Sequence, residues 1–242
     1  MSKNIVIIPA RMGSTRFPGK VLEKIGDKSI LNLVWENVKK SSLIDEIIIA
    51  TDDERVLKEA ESFGAQAEMT FSSHKSGTDR CAQVSLKYWS DDIVINVQAD
   101  EPFIDAGLID LLVRKMNDDD WIEISTLCTK IDNQAEAADP NIVKLVKDKA
   151  SKALYFSRAS LPFYRDGRGP DDFGYKHIGI YGFRNKALQA ITQLEESYLE
   201  KSEKLEQLRW MENGFSIHVF ETEYKGIGID TPEDLEMARR YQ

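Results

Sequence analysis

The stretch Ile5-Val6-Ile7-Ile8-Pro9-Ala10-Arg11-Met12-Gly13-Ser14-Thr15-Arg16-Phe17-Pro18-Gly19-Lys20 sets the reading of this chain. Ile5 to Ile8 is a continuous apolar, β-branched run stopped by a proline, the pattern of a strand buried on both faces. The loop after it holds three cations, Arg11, Arg16 and Lys20, and no acid. Residues 46–50 (EIIIA) and 93–97 (IVINV) repeat the buried-strand pattern, and 66–69 gives a shorter run. Residues 29–40, 52–63, 78–88 and 105–116 space their apolar side chains as helices do, with acidic starts at Asp52 and Asp105 and a stop at Gly64. Strand, loop and helix in alternation imply a mostly parallel sheet with helices on both faces, an α/β fold.

The second half is mixed. Residues 123–129, 142–147, 176–183 and 216–221 read as strands, 153–158 as extended and 167–174 (GRGPDDFG) as loop. Residues 186–194 and 198–212 read as helices, the latter turning Leu199, Leu205, Leu208 and Met211 inward. A closing helix over 231–241 is capped by Thr231 with Pro232 at its first position. The expectation is one domain over 1–242 with a small mixed β extension at about 130–200. Trp35, Trp89, Trp121 and Trp210 read as core or interface aromatics.

The 242 residues carry 32 Lys and Arg against 41 Asp and Glu, a net charge of −9. That balance disfavours nucleic acid and membrane surfaces, both extended polyanions. It is unevenly spread: residues 1–20 hold Lys3, Arg11, Arg16, Lys20 and no acid, so the rest carry −13. A small anionic ligand therefore has one place to bind. Cys81 and Cys128 form no CxxC pair and read as reduced, buried thiols. The first apolar run is too short for a secretion signal, and none reaches the ~18 residues of a membrane span. The expected compartment is the cytoplasm.

In open α/β sheets ligands sit beyond the carboxyl ends of the strands, where this cationic loop falls. It is not a P-loop. Five residues separate Gly13 from Gly19 where four are needed, and Val21 stands where a Ser or Thr would hold magnesium.

Four further segments stand at strand or loop ends: His74-Lys75-Ser76-Gly77-Thr78-Asp79-Arg80, Asn96-Val97-Gln98-Ala99-Asp100-Glu101-Pro102, Lys176-His177-Ile178-Gly179-Ile180-Tyr181-Gly182, and Gly226-Ile227-Gly228-Ile229-Asp230-Thr231-Pro232-Glu233-Asp234-Leu235. Together with IPARMGSTRFPGK they span the chain, and the set closely resembles the 3-deoxy-manno-octulosonate cytidylyltransferases. The resemblance implies a Rossmann-like nucleotidyltransferase fold and transfer of CMP from CTP to the eight-carbon acid sugar KDO. Pyrophosphate is released, and the product serves lipopolysaccharide biosynthesis.

It also implies roles. Arg11, Arg16 and Lys20 take the CTP phosphates, and with Asp100 they are the catalytic set. Backbone around Ala10 and the turn Ser76-Gly77-Thr78 hold base and ribose, although Ser76–Thr78 equally reads as a helix N-cap. Asp100 and Asp230 are the implied Mg2+ ligands, hard oxygens suited to that ion. Asp230 also reads as a cap for the last helix, and Glu233 and Asp234 as partners of its dipole. Gln98, Arg158, His177, Tyr181, Glu206 and Gln207 fall to the sugar acid. Arg158 is the chemically apt partner of its carboxylate, and His177 either orients the sugar or assists its deprotonation. A homodimer joined through residues 130–200 is implied as well. With three dispersed histidines, zinc is disfavoured.

The family pattern has Gly where this chain has Ala99. Either the backbone there has an ordinary φ and the methyl is silent, or the pocket is fitted to a modified sugar such as the 8-amino analogue of KDO. The alternatives to KDO transfer are a cytidylyltransferase for another acidic sugar, of sialic-acid type, and a non-catalytic nucleotide-binding protein on the same fold.

Overall fold

The computed structural model describes residues 2–13, 17–166, 173–226 and 228–240. Arg16, most of the 167–174 loop and Tyr241 lie outside them. In chain order the elements are β1 (Asn4–Ala10), a single 3-10 turn (Lys20–Leu22), β2 (Lys24–Ile25), β3 (Lys28–Ser29), α1 (Ile30–Val38), β4 (Glu46–Thr51), α2 (Glu54–Ser62), β5 (Gln66–Met69), α3 (Gly77–Ser85), β6 (Ile93–Asn96), α4 (Ala106–Asp118) and β7 (Ile124–Lys130). There follow α5 (Gln134–Ala138), β8 (Lys144–Lys147), β9 (Ala153–Ser157), β10 (Tyr175–Arg184), α6 (Asn185–Ile191), α7 (Tyr198–Glu203), α8 (Glu206–Glu212), β11 (Ile217–Glu221) and α9 (Pro232–Arg239).

The main sheet runs β11-β7-β10-β6-β1-β4-β5, with β8 on β10 and β9 on β8. β1 is parallel to both β4 and β6, β4 to β5, and β7 to β11. The chain proceeds from β1 to one side through β4 and β5, then returns to the other side at β6. That reversal opens a crevice at the carboxyl ends of β1 and β6.

Continuous apolar strands are needed because both sheet faces are covered. Val6, Ile8, Ile49 and Ile95 pack against α1, α2, α4 and α9. Ile5, Ile7, Ile48 and Val94 pack against α3, α6 and α8. Each fully buried Ile or Val contributes about 1.5–3 kcal/mol relative to exposure. α1 shows the helix logic: Ser29 caps it by accepting from Asn32 N, and Ile30, Leu31, Val34 and Val38 form its buried stripe.

Several expectations are corrected. The helix read over 198–212 is two helices. Lys204 takes φ +53 and closes α7, and buried Leu205 is extended (φ −128) before α8 begins. The six-residue step from Leu199 to Leu205 is off the 3.6-residue period, so one straight helix cannot bury both. Asp53, not Asp52, caps α2 by accepting from Arg55 N. The hairpin β2–β3, turning at Gly26, and the short α5 carry no apolar period and went unread. β10 is not confined to an extension: its first residues pair with β8, while its last lie antiparallel between β6 and β7. Of the tryptophans read as core or interface, Trp210 is core (1% exposed) and Trp35 packs on Phe63, while Trp89 and Trp121 lie at the surface, 83% and 89% exposed. No described helix is long and apolar enough to cross a membrane.

Candidate active site

A cleft of about 230 Å³ opens where the topology reverses, between the end of β1, the start of α3, the segment after β6 and the approach to α9. The first loop is shaped by Gly19, whose N–H donates to Met12 O (3.0 Å) with φ +76. An added Cβ would also meet the Met12 side chain at 3.1 Å. This turn delivers Lys20 into the cleft at the start of the 3-10 segment.

Lys20 is 7% exposed, and its ammonium donates three hydrogen bonds: to Asp100 Oδ2 (2.6 Å), Ile229 O (2.7 Å) and Asp230 Oδ1 (2.9 Å). All three of its donors are thereby used. Burial lowers its pKa, but Asp100 and Asp230 more than offset this and leave it raised. Asp230 is not the helix cap. Thr231 accepts from Asp234 N, and Asp234 accepts in return from the backbone N–H groups of Asp230 and Thr231. Ile229 N donates to Asp100 O (2.9 Å), so the two acid-bearing segments are tied directly. Beside them Glu101 is pushed up to about 7 by burial and by the charges of Asp100 and Asp230.

The nucleotide turn is held from two sides. Ser76 caps α3 in a reciprocal box with Asp79, so the N-cap expectation holds. Gly77 lies against Pro9, where a Cβ would come within 3.1 Å of the ring. Its missing side chain therefore lets α3 approach the end of β1. Ala10 is wholly buried and pairs with Thr51 of β4. Arg11 is exposed at the rim. Gln98 donates to Asn96 (3.1 Å) and lines this same cleft. Ala99 lines it too, and it is not among the described residues with positive φ, so its methyl is tolerated by the backbone.

His177 and Tyr181 of β10 stand four residues apart, ~13 Å along a straight strand, yet their rings are 5.3 Å apart. The shift in pairing with β7 between Ile178 and Tyr181 is a bulge, so the two residues face β7 positions only two apart, Cys128 and Thr126. Burial pulls His177 down to about 3, so it is neutral at ordinary pH and poorly suited to take a proton. Its Nε2 lies 2.9 Å from Thr126 Oγ1, which also reaches Ile180 O (2.7 Å). A hydroxyl donating to that carbonyl must accept from the ring, which places the proton on Nε2. The Tyr181 hydroxyl is buried with no partner among the described residues, an arrangement costing about 1–3 kcal/mol unless a ligand answers it.

Glu206 reaches across to the nucleotide turn: Ser76 Oγ donates to it at 3.0 Å and Thr78 Oγ1 at 2.8 Å. Gln207 is buried (5% exposed) at the same end of α8. Arg158 donates to Glu203 O (2.8 Å), Pro140 O (2.9 Å) and Lys204 O (3.5 Å). Two of its five N–H groups remain for a ligand. Lys144, fully buried, fixes Arg158 from behind by donating to its carbonyl and to those of Asp139 and Ile142.

Two residues were missed. Arg80, 3% exposed and on the cleft wall, donates to Thr70 and to Asp52 (3.0 Å). It ends the HKSGTDR segment and was visible there. Arg209 donates to Glu206 (2.9 Å), and nothing in its sequence setting marked it.

The cytidylyltransferase family model matches residues 5–222. The 3-deoxy-manno-octulosonate cytidylyltransferase of Solibacter usitatus is 46% identical, over 98% of this chain and 94% of the relative. That of Thermodesulfovibrio yellowstonii is 48% identical, over 98% and 96%. The solved structure of CMP:2-keto-3-deoxy-manno-octonic acid synthetase complexed with CTP superimposes with a TM-score of 0.94 at 42% identity, covering 99% of this chain and 98% of that one. By fold and sequence alike, the chain belongs to the 3-deoxy-manno-octulosonate cytidylyltransferase family.

Proposed function

We propose that this protein transfers CMP from CTP to the anomeric hydroxyl of KDO and releases pyrophosphate, supplying an activated sugar for lipopolysaccharide biosynthesis. The observation that carries the reading is the meeting of Lys20, Asp100 and Asp230 at one point of the cleft, each from a different chain segment. The reaction joins two anions, so positioning and charge stabilisation dominate it. Arg11 and Arg16 meet the phosphates from the first loop, with Lys20 beside them. The Ser76-Gly77-Thr78 turn and the backbone at Ala10 hold base and ribose. His177 and Tyr181 orient the sugar from β10, Gln98 from the nucleotide side, and Glu206 and Gln207 from α8. Arg158 meets its carboxylate.

The residues fit a magnesium ion. Asp100 and Asp230 converge within 3 Å of the Lys20 ammonium, so the two hard carboxylates that would hold magnesium are brought together, with Lys20 displaced from between them. The ion would supply charge neutralisation at the phosphates. Leu154, Phe163 and Tyr198, 59%, 88% and 77% exposed, support a homodimer through residues 130–200. Buried thiols at Cys81 and Cys128 support a reducing compartment, the cytoplasm. The test is pyrophosphate release from CTP or UTP with magnesium across a panel of sugar acids. Release with CTP and KDO is expected. CTP binding without release for any ulosonic acid refutes the reading in favour of a binding protein, and preference for a sialic acid shifts it to that sugar.

A further inference from the structure

Glu206 belongs to α8, on the sugar side of the site as just proposed, yet both its carboxylate oxygens are engaged by the nucleotide turn. Ser76 Oγ donates to Oε1, and the same Oγ caps α3 by accepting from Asp79 N. Thr78 Oγ1 donates to Oε2. From the opposite side Arg209 Nη2 donates to Oε1 (2.9 Å). Arg209 is itself gripped: its Nη1 donates to Leu194 O (3.3 Å) and its Nε lies 3.6 Å from Glu200 Oε2. Glu200 in turn completes the cap of α7 with Ser197. A line of contacts therefore runs from the cap of α7 through Glu200, Arg209 and Glu206 to the first turn of α3. A carboxylate has about four acceptor positions. Three are filled, two on Oε1 and one on Oε2, which leaves one on Oε2 for a sugar hydroxyl.

We propose that Arg209 is a positioning residue that fixes Glu206 as the joint registering the sugar half of the site on the nucleotide half. The proposal rests on the function argued above. Glu206 is partly buried, its side chain 25% exposed, and desolvation raises its pKa while Thr78, Ser76 and Arg209 pull it back. The other groups facing it are Asp79 and Cys81 from α3 and Tyr181 from β10, with Glu200 of α7 behind Arg209. Among the described residues the Arg209 guanidinium is the one cation paired with Glu206. Removing it lifts the Glu206 pKa further, so the ionised form that accepts from Ser76 and Thr78 persists only at higher pH.

The experiment is steady-state kinetics and CTP calorimetry on the full chain and on Arg209→Met, Arg209→Lys and Thr78→Val. Arg209→Met is expected to raise KM for CTP and for the sugar acid together, each about tenfold, as a charge-assisted bond of this kind commands. It should also move the acidic limb of kcat/KM to higher pH, and Arg209→Lys should move that limb part of the way back. A purely structural role lowers Tm or the active fraction and leaves the limb in place. An unmoved limb, or a rise in the sugar KM alone, overturns the proposal. Should Arg209→Met fail to fold, Thr78→Val tests the joint from its other side: a raised KM for the sugar acid supports it, and an unchanged one refutes it. Calorimetry needs no turnover. If the wild type binds CTP and releases no pyrophosphate, the function reading fails, while an unchanged CTP Kd in Arg209→Met still defeats the joint.

Discussion

Lys20→Met removes one ammonium and retains most of the stem. In the native protein that ammonium answers two carboxylates and a carbonyl inside the cleft. Without it, Asp100 and Asp230 lose the ammonium that lies between them. Breaking a fully buried ion pair costs about 3–5 kcal/mol. Here the Asp100 and Asp230 side chains are 29% and 44% exposed, so solvent screens much of that. A net loss of about 1.5 kcal/mol is expected. For a chain of this length that is about 3–6 °C in Tm. The Lys20 pKa is raised in the folded state, so its contribution is complete below the unfolded value of 10.5 and is lost as pH rises through the folded one. A melt near pH 7.5 therefore reads the whole effect.

The same substitution discriminates a structural pair from a metal-competent one. Thermal melts followed by circular dichroism, with and without magnesium, should show a larger recovery of Tm for Lys20→Met than for the wild type. A cation then takes over the work of the ammonium between the acids. Turnover by pyrophosphate release should fall at least 100-fold at any magnesium concentration, since magnesium does not replace Lys20 at the phosphates. A variant that melts with or above the wild type in metal-free buffer refutes the account of the pair. Equal magnesium responses refute the assignment of Asp100 and Asp230 to the ion.

Asp100→Asn keeps the shape and the backbone bond from Ile229 but removes one of the two charges facing Lys20, so its Tm should fall by less than that of Lys20→Met while pyrophosphate release is abolished; near-normal kcat at saturating magnesium contradicts the metal role. His177 is held at about 3 by burial, so kcat/KM should show no limb near 6.5 that disappears in His177→Gln, and that variant should raise KM for the sugar acid instead. Because a lowered histidine pKa favours the neutral form, this group costs stability only as pH falls below the ordinary 6.5. Ala99 carries its methyl without backbone strain, so Ala99→Gly should leave unchanged the ratio of kcat/KM for KDO to that for its 8-amino analogue; a changed ratio restores the fitted-pocket reading. Lys204→Gly should raise Tm, because a non-glycine residue at φ +53 costs about 1 kcal/mol; a lowered Tm, read by calorimetry, contradicts it.

What could be read from sequence depended on how far apart the interacting residues lie. The buried strands declared themselves locally, since four apolar residues in a row need cover on both sides, and the two core layers supply it. The caps at Ser76 and Thr231 were legible because a helix cap is a four-residue event, although Asp79 and Asp234, which complete their boxes, were not read in that role. The break at Lys204 was local too, yet a leucine count that ignored phase concealed it. The antiparallel insertion of β10 between β6 and β7 had no local mark, because a strand buried among neighbours reads alike in either direction. The cleft shows the limit most clearly. Adjacency in the chain grouped Lys20 with Arg11 and Arg16 as phosphate cations. The fold groups it with acids 80 and 210 positions away, and its three donors are already committed, two to these acids and one to the Ile229 carbonyl. Charge along the first twenty residues therefore overstates the positive field that CTP meets. On the proposed function, Lys20 can reach a phosphate only by giving up one of these three acceptors.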